Sequence, residues 1–111
     1  MLIPGVLLSD EALADARGIS NWMHQSNSTR ALRFLEELEA SLQILATSPY
    51  LGSPRDYPAR ALHSLRPYQL PKFRGYGVFY RPLASANGVD VWRVLHARQD
   101  DFARLQELTE D

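Results

Sequence analysis

Three arginines and one histidine in the last third of the chain have side chains that could bind an anion and move a proton. Arg81 lies in one predicted strand, Arg93 and His96 lie in or just after the next, and Arg98 follows them. A guanidinium forms paired hydrogen bonds to a carboxylate or a phosphate, and an imidazole titrates near neutral pH. Because successive side chains of a strand point to opposite faces, Arg93 and His96 are expected on different faces.

The same side chains also have structural interpretations. Arginine inside a central strand is usually paired, so Arg81 and Arg93 could instead be held in internal ion pairs, with three candidate partners: Asp15, Asp90 and Asp100. A histidine at a strand end is more often a hydrogen-bonded structural residue than a catalytic one. The aromatic residues Tyr80, Phe79 and Trp92 are expected in the core.

Charge is distributed unevenly along a chain whose net charge is only −1. Residues 1–54 carry a net charge of −3, residues 55–99 carry eight basic and two acidic side chains, and residues 100–111 carry a net charge of −4. The small total argues against a general nucleic-acid binder, whereas the basic middle indicates an anionic partner. Alternatively, the three segments neutralise one another within the fold.

Length and composition restrict the class of protein. The 111 residues are 45% hydrophobic and fit a single domain over 1–111. Cysteine is absent, which excludes disulfides and thiolate catalysis, and His24, His63 and His96 lack metal-ligand spacing. No metal or cofactor is therefore expected. The apolar start, Met1–Leu8, is too short for a signal peptide or membrane span, so a soluble cytoplasmic protein is predicted.

The first half of the sequence predicts a strand and a helical hairpin. Residues 5–8 are apolar and favour a strand, and Ser9 offers an N-cap for an amphipathic helix over residues 10–25. A polar break ends in Ser28, a candidate cap for a second helix. That helix carries an apolar stripe (Ala31, Leu35, Leu38, Leu42 and Leu45) and ends before Pro49.

The second half predicts strands and one more helix. Candidate strands are Ala61–Arg66, Tyr68–Phe73, Tyr76–Arg81 and Val89–Leu95, and Asp100–Leu108 has the spacing of a short helix. Pro67 and Pro71 confine the first two to sheet edges or strand ends, and Asn87-Gly88 favours a hairpin turn. The predicted fold is α+β in the order β-α-α-β-β-β-α, with a helical hairpin on a small antiparallel sheet.

Four strings of residues in this order resemble the RelE/ParE toxin superfamily of type II toxin–antitoxin modules. They are Leu8–Asp15, Pro49–Pro54, Val78–Arg81 and Trp92–Asp100. The last two are most similar to the ParE branch, whose sheet hairpin ends in Arg-Val-Leu-His followed by small or basic residues and an Asp. Two positions depart from the usual pattern: Gln99 and His63 stand where relatives often carry arginine.

The resemblance to ParE implies a toxin that inhibits DNA gyrase by binding, blocks replication and growth, and stabilises plasmids. It implies no catalytic residue, and target binding would involve Arg81, Arg93, His96 and Arg98. A cognate antitoxin would form a hetero-oligomeric complex with the toxin. It would dock near the final strand and last helix, or on the face of the helical hairpin.

Two alternatives remain open from the sequence. A RelE-like member would be a ribosome-dependent mRNA endonuclease, in which His96 transfers a proton and Arg81 or Arg98 stabilises phosphate charge. The Gln99 departure also fits an inactive toxin that retains only antitoxin binding.

Overall fold

The structure is a computed structural model that describes residues 2–52, 65–84 and 87–96. Two helices and four strands follow one another in them: β1 (Val6–Leu8), α1 (Asp10–His24), α2 (Ser28–Thr47), β2 (Arg66–Gln69), β3 (Tyr76–Pro82) and β4 (Val89–His96). The predicted α+β class is confirmed, as is the predicted order through the fourth strand. The helix predicted for Asp100–Leu108 and residues His63, Arg98 and Gln99 lie outside the described residues.

Both helices begin where the sequence offers a capping side chain. Ser9 Oγ accepts a hydrogen bond from Ala12 N at 3.0 Å, as the first predicted cap requires. The second helix is capped by Asn27, whose Oδ1 accepts from Arg30 N at 3.0 Å. Ser28 is thus the first helical residue rather than the cap, because the extended backbone of Asn27 aims its side chain at the free N–H groups.

The helical hairpin packs its apolar faces on one side of the sheet. Ala31, Leu38, Leu42 and Leu45 of the predicted α2 stripe are buried, together with Phe34, which the stripe prediction omitted. The Phe34 ring meets the rings of Phe73 and Tyr76 edge to face, each at 5.5 Å between centroids. These contacts tie α2 to the segment that leads into β3.

The sheet has the strand order β1-β4-β3-β2 and is mixed rather than antiparallel throughout. β2, β3 and β4 are antiparallel neighbours, whereas β1 pairs in parallel with β4 in the register Val6↔Val89 to Leu8↔Val91. The prediction of an antiparallel sheet is wrong for β1. The helical hairpin between β1 and the other strands serves as a long crossover, which permits parallel pairing.

β2 differs from both strands predicted between residues 61 and 73. It runs through Pro67 and ends at Gln69, and Leu70–Gly75 forms a turn. Leu70 N donates to Tyr76 O at 2.9 Å, so by alternation the nitrogen of Pro67 faces away from β3. β2 is the edge strand, as Pro67 predicted, and no ladder hydrogen bond is lost there.

A bulge in β4 sets which side chains share a face. Phe79 pairs with Arg93 and Tyr80 with Val91, which leaves Trp92 as the extra residue. Val91 and Val94 consequently both lie in the main core beneath the helices. Phe79 and Leu95 instead form a second buried cluster with Leu65, against which Trp92 is packed. The predicted burial of Tyr80 and Phe79 is confirmed, whereas Trp92, also expected in the core, is only partly buried because it is the bulge residue. Among the described residues, no helix is long and apolar enough to cross a membrane.

Candidate functional site

The free edge of β4 is covered by the start of α1. Because β1 pairs only with Val89–Val91, the backbone groups beyond them need other partners. Ser9 Oγ donates to Trp92 O at 2.7 Å, and Val94 N donates to Asp15 Oδ2 at 3.0 Å. The end of β4 is therefore attached to α1 by side chains rather than by another strand.

Arg93 belongs to the same attachment. Its Nε and Nη2 donate to the two carboxylate oxygens of Asp15 at 2.6 and 2.8 Å, and the side chains are only 11% and 13% exposed. The hydrogen bonds to Asp15 raise the pKa of Arg93 above its usual value and more than offset burial, which lowers it. Asp15 is one of the ion-pair partners considered from the sequence, and the geometry favours that structural interpretation of Arg93.

His96 ends β4 and packs on the core rather than extending into solvent. Its ring meets the Tyr76 ring edge to face at 4.5 Å between centroids. Gly75, with φ +91°, lies beside it, and a β-carbon there would come within 3.3 Å of His96 Nε2. The imidazole is thus held between β3 and the turn before it.

A hollow of about 480 Å³ opens between α1 and β4, and we call it the α1–β4 hollow. Ile19, Trp22, Tyr76 and Val94 are among its largely apolar lining residues, and Asp15 and His96 also line it. Trp22 is 62% exposed, whereas its neighbour Met23 is buried in the core. A large aromatic side chain in solvent beside an apolar hollow is typical of a protein-binding surface.

Arg81 lies on β3, opposite Asp90 of β4. Its guanidinium carbon is 4.9 Å from the centroid of the Trp92 ring, a cation–π contact. Arg93 is thus held by the carboxylate of Asp15, whereas Arg81 is held by the ring of Trp92. Arg98, the fourth predicted site residue, lies outside the described residues.

A second cluster of basic residues forms where sequence reasoning placed no site. Arg30 and Arg33 of α2 and Lys72 and Arg74 of the β2–β3 turn line one hollow of about 900 Å³, which we call the cationic hollow. Glu36 and Glu37 also line it. About 40 residues separate the two basic pairs in the chain, so only the excess of positive charge in residues 55–99 hinted at the cluster.

The described residues include no group of three or more His, Cys, Asp or Glu residues placed to hold a metal ion. Within the same residues, the three side chains considered for anion binding or proton transfer (Arg81, Arg93 and His96) are each engaged by neighbouring side chains. The arrangement offers surfaces for binding a partner.

Comparison with known proteins is consistent with this geometry. The family model described as the ParE toxin of the type II toxin–antitoxin system parDE matches residues 6–101. A solved structure titled as the chromosomal ParDE TA system from P. aeruginosa has a similar fold, with a TM-score of 0.66 and 14% sequence identity over 84% of this chain and 95% of that one. No curated protein sequence matches significantly.

Proposed function

Because the chain belongs to the ParE toxin family of type II toxin–antitoxin systems, we propose that it inhibits DNA gyrase by binding it in the cytoplasm. Replication then stalls until a cognate antitoxin sequesters the toxin. The observation that most directly supports this proposal is the match of the ParE toxin family model to residues 6–101. The Asp15–Arg93 ion pair occupies both carboxylate oxygens and two guanidinium nitrogens, so Arg93 serves to attach α1 to β4.

Arg81, His96 and Arg98 form the proposed target-binding set. Arg81 and His96 lie towards opposite ends of the paired strands β3 and β4, since Arg81 pairs with Asp90 and His96 with Tyr76. Each has an aromatic side chain against it. Aromatic contacts of this kind limit the rotamers of a polar side chain, which lowers the entropy lost when a partner binds. Arg93 is left out of the set because its guanidinium is already committed to Asp15.

The α1–β4 hollow is the proposed antitoxin site. It combines the two regions expected from the resemblance, a face of the helical hairpin and the end of the final strand. Its apolar lining and the exposed Trp22 suit the apolar face of a helix supplied by the partner.

Pulse-labelling tests the proposed target. The chain is expressed without antitoxin, and DNA and protein synthesis are followed separately from the moment of induction. DNA synthesis is expected to fail first. The double variant Arg81→Gln/Arg98→Gln is expected to lose most of this inhibition, whereas Arg17→Gln, an exposed arginine of α1, should retain it.

Each other outcome points to a specific alternative. Immediate arrest of protein synthesis that His96→Ala abolishes would replace gyrase by mRNA as the target. Full inhibition by the double variant would remove the proposed binding set. If expression harms neither process while antitoxin still binds, the chain is an inactive toxin.

A further inference from the structure

The cationic hollow is a concave surface with an excess of positive charge. Arg30, Arg33, Lys72 and Arg74 are all exposed, and they outnumber the two carboxylates of the hollow in a chain of net charge −1. The guanidinium carbon of Arg30 lies 5.7 Å from the centroid of the buried Phe73 ring, which orients it. Such a surface attracts and holds an anionic ligand.

One carboxylate of the hollow favours a peptide over DNA as the anionic ligand. Glu37 Oε2 is buried and accepts no hydrogen bond within the described residues. A buried acceptor without a donor is unfavourable. Rotation of the Glu37 side chain towards the hollow would let a ligand donate to this oxygen, so the best ligand brings a hydrogen-bond donor as well as negative charge. The phosphodiester backbone of DNA presents only acceptors, whereas a peptide presents carboxylates together with backbone N–H groups and lysine side chains.

We propose that the cationic hollow binds an acidic peptide segment of a partner protein, with its carboxylates on the four basic side chains and a donor on Glu37. The two basic pairs lie on separate segments, α2 and the β2–β3 turn, which Phe34 and Phe73 hold together. The hollow is therefore formed before the ligand arrives, and little ordering entropy opposes binding. This site does not depend on gyrase being the target.

Fluorescence anisotropy with three probes tests the proposal. The first probe is a labelled peptide of alternating Glu and Ala with one central Lys, the second has Met in place of that Lys, and the third is a short DNA duplex. The Lys peptide is expected to bind more tightly than the Met peptide although it carries less negative charge. Added salt is expected to weaken binding to the native chain.

The variant Arg33→Gln/Lys72→Gln removes one cation from α2 and one from the β2–β3 turn. It is expected to lower the affinity for the Lys peptide roughly tenfold. Arg17→Gln removes the same kind of charge from α1, outside the hollow, and should leave affinity within about twofold. Far-UV circular dichroism confirms that each variant is folded.

Three results would overturn the proposal. An equal loss of affinity for the Lys peptide in Arg33→Gln/Lys72→Gln and in Arg17→Gln would place the binding outside the hollow. Tighter binding of the Met peptide would mean that Glu37 contributes only repulsion. Tighter binding of the duplex, weakened by Arg33→Gln/Lys72→Gln, would make the ligand a nucleic acid.

Discussion

The role of Arg93 depends on Asp15, which lies 78 residues earlier in the chain. Its type and position in a strand suit either an anion-binding site or an internal ion pair. The decisive feature is the short β1, which leaves an edge of β4 for α1 to cover. One Asp15 oxygen accepts from both the guanidinium and the backbone of Val94, so a single carboxylate attaches the helix to the strand.

Loss of that carboxylate should destabilise the fold. Asp15→Asn leaves the guanidinium of Arg93 buried without its counter-charge, so we expect the free energy of unfolding to fall by about 3 kcal/mol. Urea unfolding followed by circular dichroism measures the change. Glu39→Gln, an exposed acid of α2, is the matched control and should change stability by less than about 0.5 kcal/mol. Similar small effects in both variants would contradict the proposed attachment.

At the scale of elements, the chain after α2 is fixed to the sheet by one buried phenol. Tyr80 Oη of β3 accepts a hydrogen bond from Gly52 N at 2.9 Å, and Arg66 of β2 donates to Gly52 O. A β-carbon at Gly52 would lie 2.7 Å from the carbonyl oxygen of Pro67, so the position admits only glycine. In the described part of the loop that leaves α2, Gly52 is thus hydrogen-bonded to both β2 and β3.

The burial of Tyr80 predicts an alkaline limit to stability. Burial raises the pKa of Tyr80 above its usual value of 10.0, so the unfolded chain loses the phenolic proton at a lower pH than the folded one. The stability contributed by Tyr80 is complete below pH 10.0 and falls as the pH rises above it.

The variant Tyr80→Phe isolates this contribution. At neutral pH it should cost about 1–3 kcal/mol, because Gly52 N then lacks its acceptor. The stability difference from the native chain should shrink above pH 10.0, as measured by urea unfolding across the pH range. Tyr50 is an exposed tyrosine, and the free energy of unfolding of Tyr50→Phe should change with pH as that of the native chain does. The same pH dependence in Tyr80→Phe would refute the prediction.

At the scale of the whole molecule, two of the hollows that the described residues form differ in chemistry. The α1–β4 hollow is mainly apolar and lies between the first helix and the last described strand, whereas the cationic hollow lies between α2 and the β2–β3 turn. Different elements form the two surfaces, and of the residues named for them none is shared. They can therefore be changed separately.

Trp22 tests the apolar surface. Trp22→Gln should weaken capture of the cognate antitoxin by about thirtyfold, because a large aromatic anchor would be lost from the interface. The same variant should still stop DNA synthesis when expressed alone. Leu32→Gln, an exposed apolar residue of α2 outside the hollow, is the control. Equal capture by Trp22→Gln and the native chain, measured by surface plasmon resonance, would exclude this surface as the antitoxin site.

The local features of the fold were readable from the sequence. The Ser9 cap, the α2 stripe, the hairpin strands around Asn87-Gly88 and the edge position of Pro67 each follow from propensities or periodicities within a few residues. The four strings that resemble ParE toxins lie on or beside these elements, which explains why the family could also be identified.

What the tertiary structure decided depends on contacts between distant segments. Parallel pairing of β1 with β4, the bulge at Trp92, the ion pair of Arg93 with Asp15 and the meeting of Arg30 and Arg33 with Lys72 and Arg74 have no local signal. Periodicity reports which face of an element is apolar, but not which other element covers that face. The residues that line the α1–β4 hollow and the cationic hollow can each be read in the sequence. Which of them lie side by side is decided only when the chain folds.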